Sequence, residues 1–74
     1  MLTLQVTREE CGWSRAELAR RAGLNAATVG AIESGRLTPY ESQLVKLARA
    51  FGMSIHDAGK LTQEADRGGR RASR

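Results

Sequence analysis

Cysteine, proline and aromatic residues are scarce in this sequence. The single cysteine, Cys11, excludes an internal disulfide and any zinc site built from several cysteines. We expect it to be a half-buried small side chain in a reducing cytoplasm. With one Trp, one Tyr and one Phe, the core of this 74-residue chain must consist largely of Leu, Ile, Val and Ala. A domain of this size lies near the lower limit for stable folding, and dimerisation often stabilises such domains.

Long apolar runs and the usual groupings of catalytic residues are also missing. No stretch approaches the roughly 18 apolar residues that span a bilayer, and the first residues lack the pattern of a signal peptide. No nucleophile has a base and an orienting group, and there is no glycine-rich phosphate loop. The only histidine, His56, has no second histidine or nearby cysteine for a metal site. We therefore expect a cytoplasmic protein that is not an enzyme and needs no cofactor or metal.

Net charge is confined to the end of the chain. Through Asp66, eight basic and eight acidic residues cancel, so the net charge of +4 comes from four arginines. These arginines are Arg67, Arg70, Arg71 and Arg74. Since the segment 63–74 has no apolar periodicity, we predict a flexible Arg-rich tail there, after a domain over residues 1–62. The tail either releases counterions from DNA or serves only as a solubilising end.

The clearest local signals mark two short helices. Ser14 followed by Glu17 forms a capping box, and Gly23 is suited to the left-handed turn that ends this second helix. Asn25 is suited to cap the third helix, and Gly35 to end it. Two short helices joined by a tight turn are typical of a helix-turn-helix unit, whose second helix lies in the major groove of DNA.

Three further helices are predicted. A first helix from about Thr3 to Cys11 is favoured, although Leu2, Leu4 and Val6 also alternate as in a strand. The segment Thr38-Pro39-Tyr40-Glu41 predicts a capping box with proline at the first position of the fourth helix. The residues of that helix expected in the core are Leu44, Leu47, Ala48 and Phe51.

A fifth, short helix is predicted to begin at Ser54. Asp57 follows Ser54 at the spacing of a helix cap, and this helix would carry Ile55, Ala58 and Leu61. Five helices and a tail therefore account for the chain.

The segment REECGWSRAELARRAGLNAATVGAIESGRLTPYESQLVKLARAFGMS resembles the Cro/C1-type helix-turn-helix family, which includes lambda-type phage repressors and many small bacterial regulators. The resemblance extends from about Leu4 to Leu61. It rests on residues that occur in order at the family's spacing: Arg8, Gly12, Ser14, Leu18-Ala19, Gly23, Val29, Ile32-Glu33, Gly35, Pro39, Leu44, Leu47-Ala48 and Gly52. It implies an all-α, compact five-helix domain of the lambda repressor-like type. It also implies a bacterial or phage-encoded protein that is associated with the nucleoid.

The resemblance also implies structural and phosphate-contacting roles. Arg8 and Glu33 occupy positions that often form a partly buried ion pair between the first helix and the recognition helix, the alternative being two independent surface charges. The positions that contact the DNA backbone in relatives are Ser14, Arg15, Arg36, Thr38 and Tyr40. Relatives often have Gln where Arg15 stands, and Arg brings more charge to a phosphate but less discrimination between bases.

The base-reading positions that the resemblance implies carry small side chains. They are Asn25, Ala26, Ala27, Thr28, Gly30 and Ala31. Relatives commonly have Gln, Ser, Arg, Lys or Glu there, and direct readout relies on bidentate side chains. Either the small residues let the helix approach the groove closely, with alanine methyls against thymine methyls, or the helix is an apolar face for another protein.

Together these features predict a sequence-specific, double-stranded DNA-binding regulator of transcription. We expect a repressor that acts as a homodimer on a two-fold operator, with Asn25–Ser34 in the major groove. A dimer contact is expected around Met53, Ile55 and Leu61, since so small a core cannot bury all three. The alternative is a protein-interaction module, such as an antitoxin or phage adaptor, whose main partner is a protein such as a toxin or the transcription machinery.

Overall fold

The structure is a computed structural model that describes residues 1–65. These residues form five α-helices and a short 3₁₀ helix. The elements are α1 (Thr3–Glu10), α2 (Arg15–Ala22), α3 (Ala26–Glu33), α4 (Glu41–Phe51), α5 (Ile55–Ala58) and the 3₁₀ helix (Gly59–Thr62). The expected all-α, five-helix fold is confirmed. The first segment is a helix, and Leu2 just before it makes one isolated β-bridge to Glu64.

The predicted caps of α2 and α3 are confirmed. The Ser14 hydroxyl accepts a hydrogen bond from the Glu17 backbone N–H at 3.0 Å. The Asn25 side-chain oxygen accepts one from the Thr28 N–H at 2.8 Å. Gly23, between the two helices, has a φ of +75°, a left-handed conformation that favours glycine. These local contacts set where the two helices begin and how tightly the chain turns between them.

The start of α4 differs from the predicted capping box. Tyr40 is extended, with a ψ of 160°, and α4 begins at Glu41, so Pro39 lies outside the helix. The side chain of Gln43 accepts a hydrogen bond from the Tyr40 N–H at 2.8 Å. The prediction of Thr38 as the cap was wrong because Gln43, one turn inside the helix, fixes a later starting point.

The core is aliphatic and draws on the chain from α1 to the 3₁₀ helix. Its largest fully buried side chains are Leu4, Leu18, Val29, Ile32, Leu47 and Leu61. Trp13 packs against this core, and its ring stacks on Phe51 with centroids 5.6 Å apart. The guanidinium of Arg21, on α2, lies 4.5 Å from the centroid of the Trp13 ring. Because Val29 and Ile32 point inward, the packing decides which side of α3 faces outward.

Cys11 is exposed, which contradicts the expectation of a half-buried side chain. It follows the last residue of α1, and its backbone N–H bonds to the carbonyls of Thr7 and Arg8. The chain then turns at Gly12, so Cys11 lies beyond the part of α1 that packs on the core.

The two ends of the described chain lie side by side. The Thr3 N–H and hydroxyl both donate to the Gln63 carbonyl, at 2.8 Å and 3.0 Å. The Ala65 N–H donates to the Met1 carbonyl at 2.9 Å. This pairing fastens the segment after the 3₁₀ helix to the start of α1. The four arginines of the predicted tail lie outside the described residues.

Within residues 1–65, none of the helices has the length and apolar composition needed to cross a membrane.

Candidate nucleic-acid interface

Small residues form the outward side of α3. Val29 and Ile32 are buried in the core, so α3 presents its other side to solvent. Among the six predicted base-reading residues, Asn25, Ala26 and Ala27 are exposed. The remaining three are partly buried: Thr28, Gly30 and Ala31. The structure therefore brings all six together on α3 and its N-cap, with the first turn more open than the middle of the helix.

The cap at Asn25 limits what this residue can read. Its side-chain oxygen is engaged by the Thr28 N–H at 2.8 Å. Bidentate recognition of adenine needs both the oxygen and the NH₂ of an amide side chain. While the cap is intact, one lone pair of this oxygen is engaged and the amide is held against the first turn of α3. The NH₂ group is the part of Asn25 that the cap leaves free for a base.

Glu33, the last residue of α3, forms an ion pair with Arg8 of α1. Its side chain is fully buried, and it is bound bidentately by Arg8, with Nε donating to Oε2 at 2.7 Å and Nη2 to Oε1 at 3.3 Å. Arg8 Nη1 also donates to the Trp13 carbonyl at 2.7 Å. One guanidinium thus joins α1, the loop before α2 and the end of α3. This arrangement fixes the orientation of α3 with directional, charge-assisted bonds.

Arg15 is a second ligand of the same carboxylate. Its Nε donates to Glu33 Oε1 at 3.0 Å, while 52% of its side chain remains exposed. In the cluster of Arg8, Arg15 and Glu33, one carboxylate is shared by two guanidinium groups, and the exposed Glu9 carboxylate lies 3.8 Å from Arg8 Nη2. Because the Arg8 side chain is 10% exposed, Arg15 is the member of this cluster that reaches solvent. The sequence indicated a phosphate contact for Arg15 but not its bond to Glu33, which lies 18 residues away.

The other arginines of α2 are engaged elsewhere. Arg20 and Arg21 both donate to the carboxylate of Glu17, Arg21 through Nε at 2.7 Å. The hydrogen bond from Arg20, aided by that from Arg21, lowers the pKa of the Glu17 carboxyl below its ordinary value. Arg15 is therefore the arginine of α2 that contacts α3.

The remaining predicted backbone-contacting residues lie in exposed positions. Ser14 is exposed, and its hydroxyl caps α2. Arg36 is exposed and donates through Nε to the Ser34 hydroxyl at 2.9 Å, and that hydroxyl donates to the Ala31 carbonyl. The two other exposed members of this set, in the loop between α3 and α4, are Thr38 and Tyr40. The bond to Ser34 ties the Arg36 side chain to the end of α3.

The three residues predicted for a dimer contact have different surroundings. Ile55 is 60% exposed, and Met53 is partly buried against the core. Leu61 is 1% exposed, so the prediction that it lies at a dimer surface was wrong. The reason is the 3₁₀ helix, which packs against α1 and turns Leu61 into the core.

A family model described as Helix-turn-helix domain matches residues 2–61. This range contains all five α-helices and every residue of the candidate interface. No curated protein and no solved structure matches the chain.

Proposed function

This chain belongs to the helix-turn-helix domain family, and we propose that it is a sequence-specific regulator of transcription that binds double-stranded DNA. We assign it to the Cro/C1, lambda repressor-like type within that family. In this proposal it is a cytoplasmic, nucleoid-associated repressor. It binds a two-fold operator as a homodimer, and α3 lies in the major groove of each half-site. Its role is binding rather than catalysis.

The charge distribution around α3 carries this proposal. The one acidic residue of α3, Glu33, is fully buried and neutralised by Arg8. The exposed guanidinium groups of Arg15 and Arg36 are tied to α3 by hydrogen bonds to Glu33 and Ser34. The outward side of α3 therefore has no exposed acid of its own and has cations beside it, which suits a polyanion.

The size of the side chains supports close approach of α3 to the bases. Ala26 and Ala27 are exposed, so their methyl groups are available to thymine methyl groups in the major groove. Gly30 adds no side chain one turn later. A helix with small residues on its outward side can enter the groove more deeply than one covered with long side chains.

The contacts with the DNA backbone come from two segments. Ser14 and the first turn of α2 supply backbone N–H groups at the positive end of a helix dipole. The loop after α3 supplies Arg36, Thr38 and Tyr40, all of which are exposed. These groups set the position of the protein on the duplex and carry no sequence information by themselves.

Dimerisation is proposed through the surface around Ile55 and Met53. The exposed Ile55 side chain supports this surface, and Leu61 is no longer part of it. Half-sites would lie about one helical turn (~34 Å) apart. Sedimentation equilibrium of the full chain tests this point. A pure monomer at tens of micromolar would remove the dimer from the proposal.

The arginines beyond Asp66 lie outside the described residues and enter the proposal through their charge alone. Four positive charges near a duplex release counterions and steepen the salt dependence of binding. Comparison of the full chain with a chain ending at Asp66 tests this role. We expect a smaller log–log salt slope for the shorter chain, and equal slopes would exclude these arginines from the DNA interface.

Selection from a random duplex pool tests the proposed function as a whole. The full chain is used at physiological salt, because low salt exaggerates binding that does not depend on sequence. We expect enrichment of a motif with two related halves. Failure to enrich any motif, together with a stoichiometric protein partner captured in place of DNA, would contradict the proposal and favour the protein-interaction alternative.

A further inference from the structure

Gly30, in the middle of α3, lies beneath the side chain of Arg15. A Cβ built at Gly30 would lie 3.7 Å from Arg15 Nη1 and 3.8 Å from its Cδ. Residues three and four positions apart share a face of a helix, so Gly30 lies on the same face as Ala26 and Ala27. The guanidinium that α2 contributes therefore crosses this face of α3 at the position where α3 has no side chain.

The contact between Arg15 and Glu33 leaves the outer end of the guanidinium available. The bond to Glu33 uses Nε, at 3.0 Å. Within residues 1–65 it is the hydrogen bond that this guanidinium makes, so Nη1 and Nη2 keep their hydrogens for another acceptor pair. Glu33 is itself held by two hydrogen bonds from Arg8. An arginine anchored in this way loses less side-chain freedom when it binds.

We propose that Arg15 reads a guanine in the major groove, with Nη1 and Nη2 donating to O6 and N7. Glu33 anchors the guanidinium, which lies over Gly30 on the outward side of α3. Bidentate contact between arginine and guanine is the commonest specific contact in protein–DNA complexes, and it discriminates against a wrong base by about 5- to 150-fold. Arg15 thereby supplies the bidentate group that α3 itself lacks. This inference rests on the proposed function.

Selection from a random duplex pool with two variants of Arg15 and one control variant tests this role. Arg15→Lys keeps the positive charge but loses the planar fork, and Arg15→Gln loses both. Arg20→Gln is the control, because Arg20 is an exposed arginine of the same helix that pairs with Glu17. We expect a guanine in each half of the wild-type motif. Arg15→Gln should lose preference at that position by about 5- to 150-fold, and Arg15→Lys should lose less, because an ammonium group can still donate to guanine. Arg20→Gln should retain the preference.

A modified base separates readout of guanine from contact with a phosphate. Replacing the selected guanine with 7-deazaguanine removes the N7 acceptor. Wild type should lose affinity for the modified duplex by at least about fivefold, and Arg15→Gln should be much less sensitive to the replacement. If the two proteins lose affinity equally, Arg15 does not contact that N7.

The failure of this inference differs from the failure of the proposed function. If wild type enriches a motif and Arg15→Lys and Arg15→Gln keep its base preferences, Arg15 contacts only phosphate and the inference is wrong. A wild-type motif without a guanine overturns it as well. If wild type enriches no motif, the proposed function fails and this inference fails with it. Thermal unfolding checks that each variant folds, and if Arg15→Gln does not, Arg15→Met, which keeps the apolar stem and removes the donors, decides.

Discussion

The junction of α1, α2 and α3 and the pairing of the chain ends are held together in different ways. At the junction, a fully buried carboxylate receives hydrogen bonds from two arginines. At the chain ends, the Met1 amino group pairs with the Glu64 carboxylate in an exposed position. Exposed polar contacts are exchanged for contacts with water at little net change in free energy, whereas a buried ion cannot be left without a partner. The buried ion pair, which is the interaction that cannot lose a partner without a large cost in stability, therefore lies where the orientation of α3 is set.

This difference explains why a domain with a small core contains a buried charge at all. Replacing a buried ion pair with apolar residues is often neutral for stability, so Glu33 is not needed merely to hold helices together. It specifies one arrangement, because a bidentate guanidinium–carboxylate pair has a narrow range of good geometries. An α3 that shifted on the core would break these bonds before it lost much apolar contact.

The largest effect is expected for Glu33→Ala. The variant leaves Arg8 poorly solvated and without its main partner, which should destabilise the fold by about 3–5 kcal/mol. The melting temperature should fall by more than about 10 °C. Glu9→Ala is the matched control, since Glu9 lies 3.8 Å from Arg8 but is 45% exposed, and its loss should change stability by less than about 1 kcal/mol. Equal melting temperatures for the two variants, measured by circular dichroism, would contradict the role given to Glu33.

A smaller effect is expected at Asn25, where stability and DNA binding can be separated. Asn25→Ala removes the cap of α3 and should destabilise the fold by about 1 kcal/mol. Asn25→Asp keeps a capping oxygen and should leave the melting temperature nearly unchanged. Its negative charge on the outward side of α3 should nevertheless weaken DNA binding, as measured by fluorescence anisotropy. Undiminished binding by Asn25→Asp would show that this end of α3 does not approach DNA.

Gly30→Ala is expected to stabilise the fold modestly. Glycine in a helix interior is less favourable than alanine by roughly 0.5–1 kcal/mol, and the added methyl would make an ordinary contact with Arg15. The urea midpoint should therefore rise. Gly35→Ala provides a control of opposite sign, because Gly35 has a φ of +83° and alanine is strained there. A decrease at Gly30 as large as that at Gly35 would indicate that Arg15 cannot accommodate a methyl group.

The smallest effect is expected at the chain ends. Glu64→Gln removes the exposed ion pair with the Met1 amino group and should change the free energy of unfolding by less than about 1 kcal/mol. The difference from wild type should shrink further in high salt, since exposed charges are screened. A loss comparable with that of Glu33→Ala would remove the distinction between the two regions.

The sequence was sufficient where structure depends on nearby residues. Ser14 and Asn25 reach backbone groups only three residues away, so their capping roles could be predicted from spacing alone. The start of α4 was misplaced because two capping patterns overlap, and Gln43 decides between them. Leu61 was assigned to a surface because its burial depends on the packing of the 3₁₀ helix against α1.

The resemblance could place the residues of the candidate interface on α3 and its flanks, but not the contacts among them. The resemblance implied the pairing of Arg8 with Glu33, and the structure joins them across 25 residues. The resemblance gave no indication that Arg15 donates to the same carboxylate or lies over Gly30. Those contacts depend on the angle between α2 and α3, which tertiary packing sets. The exposure of Cys11 likewise depends on where α1 leaves the core.

In the proposed complex the cluster of Arg8, Arg15 and Glu33 presents α3 to DNA, and an NMR titration locates the surface that DNA contacts. The full chain, labelled with ¹⁵N, is titrated with the duplex obtained by selection, and changes in amide chemical shift are mapped along the sequence. We predict the largest changes at Ala26, Ala27 and Gly30 and in the first turn of α2. If the largest changes lie around Ile55 and α5 and α3 is unaffected, DNA does not bind at α3 and the proposed interface is wrong.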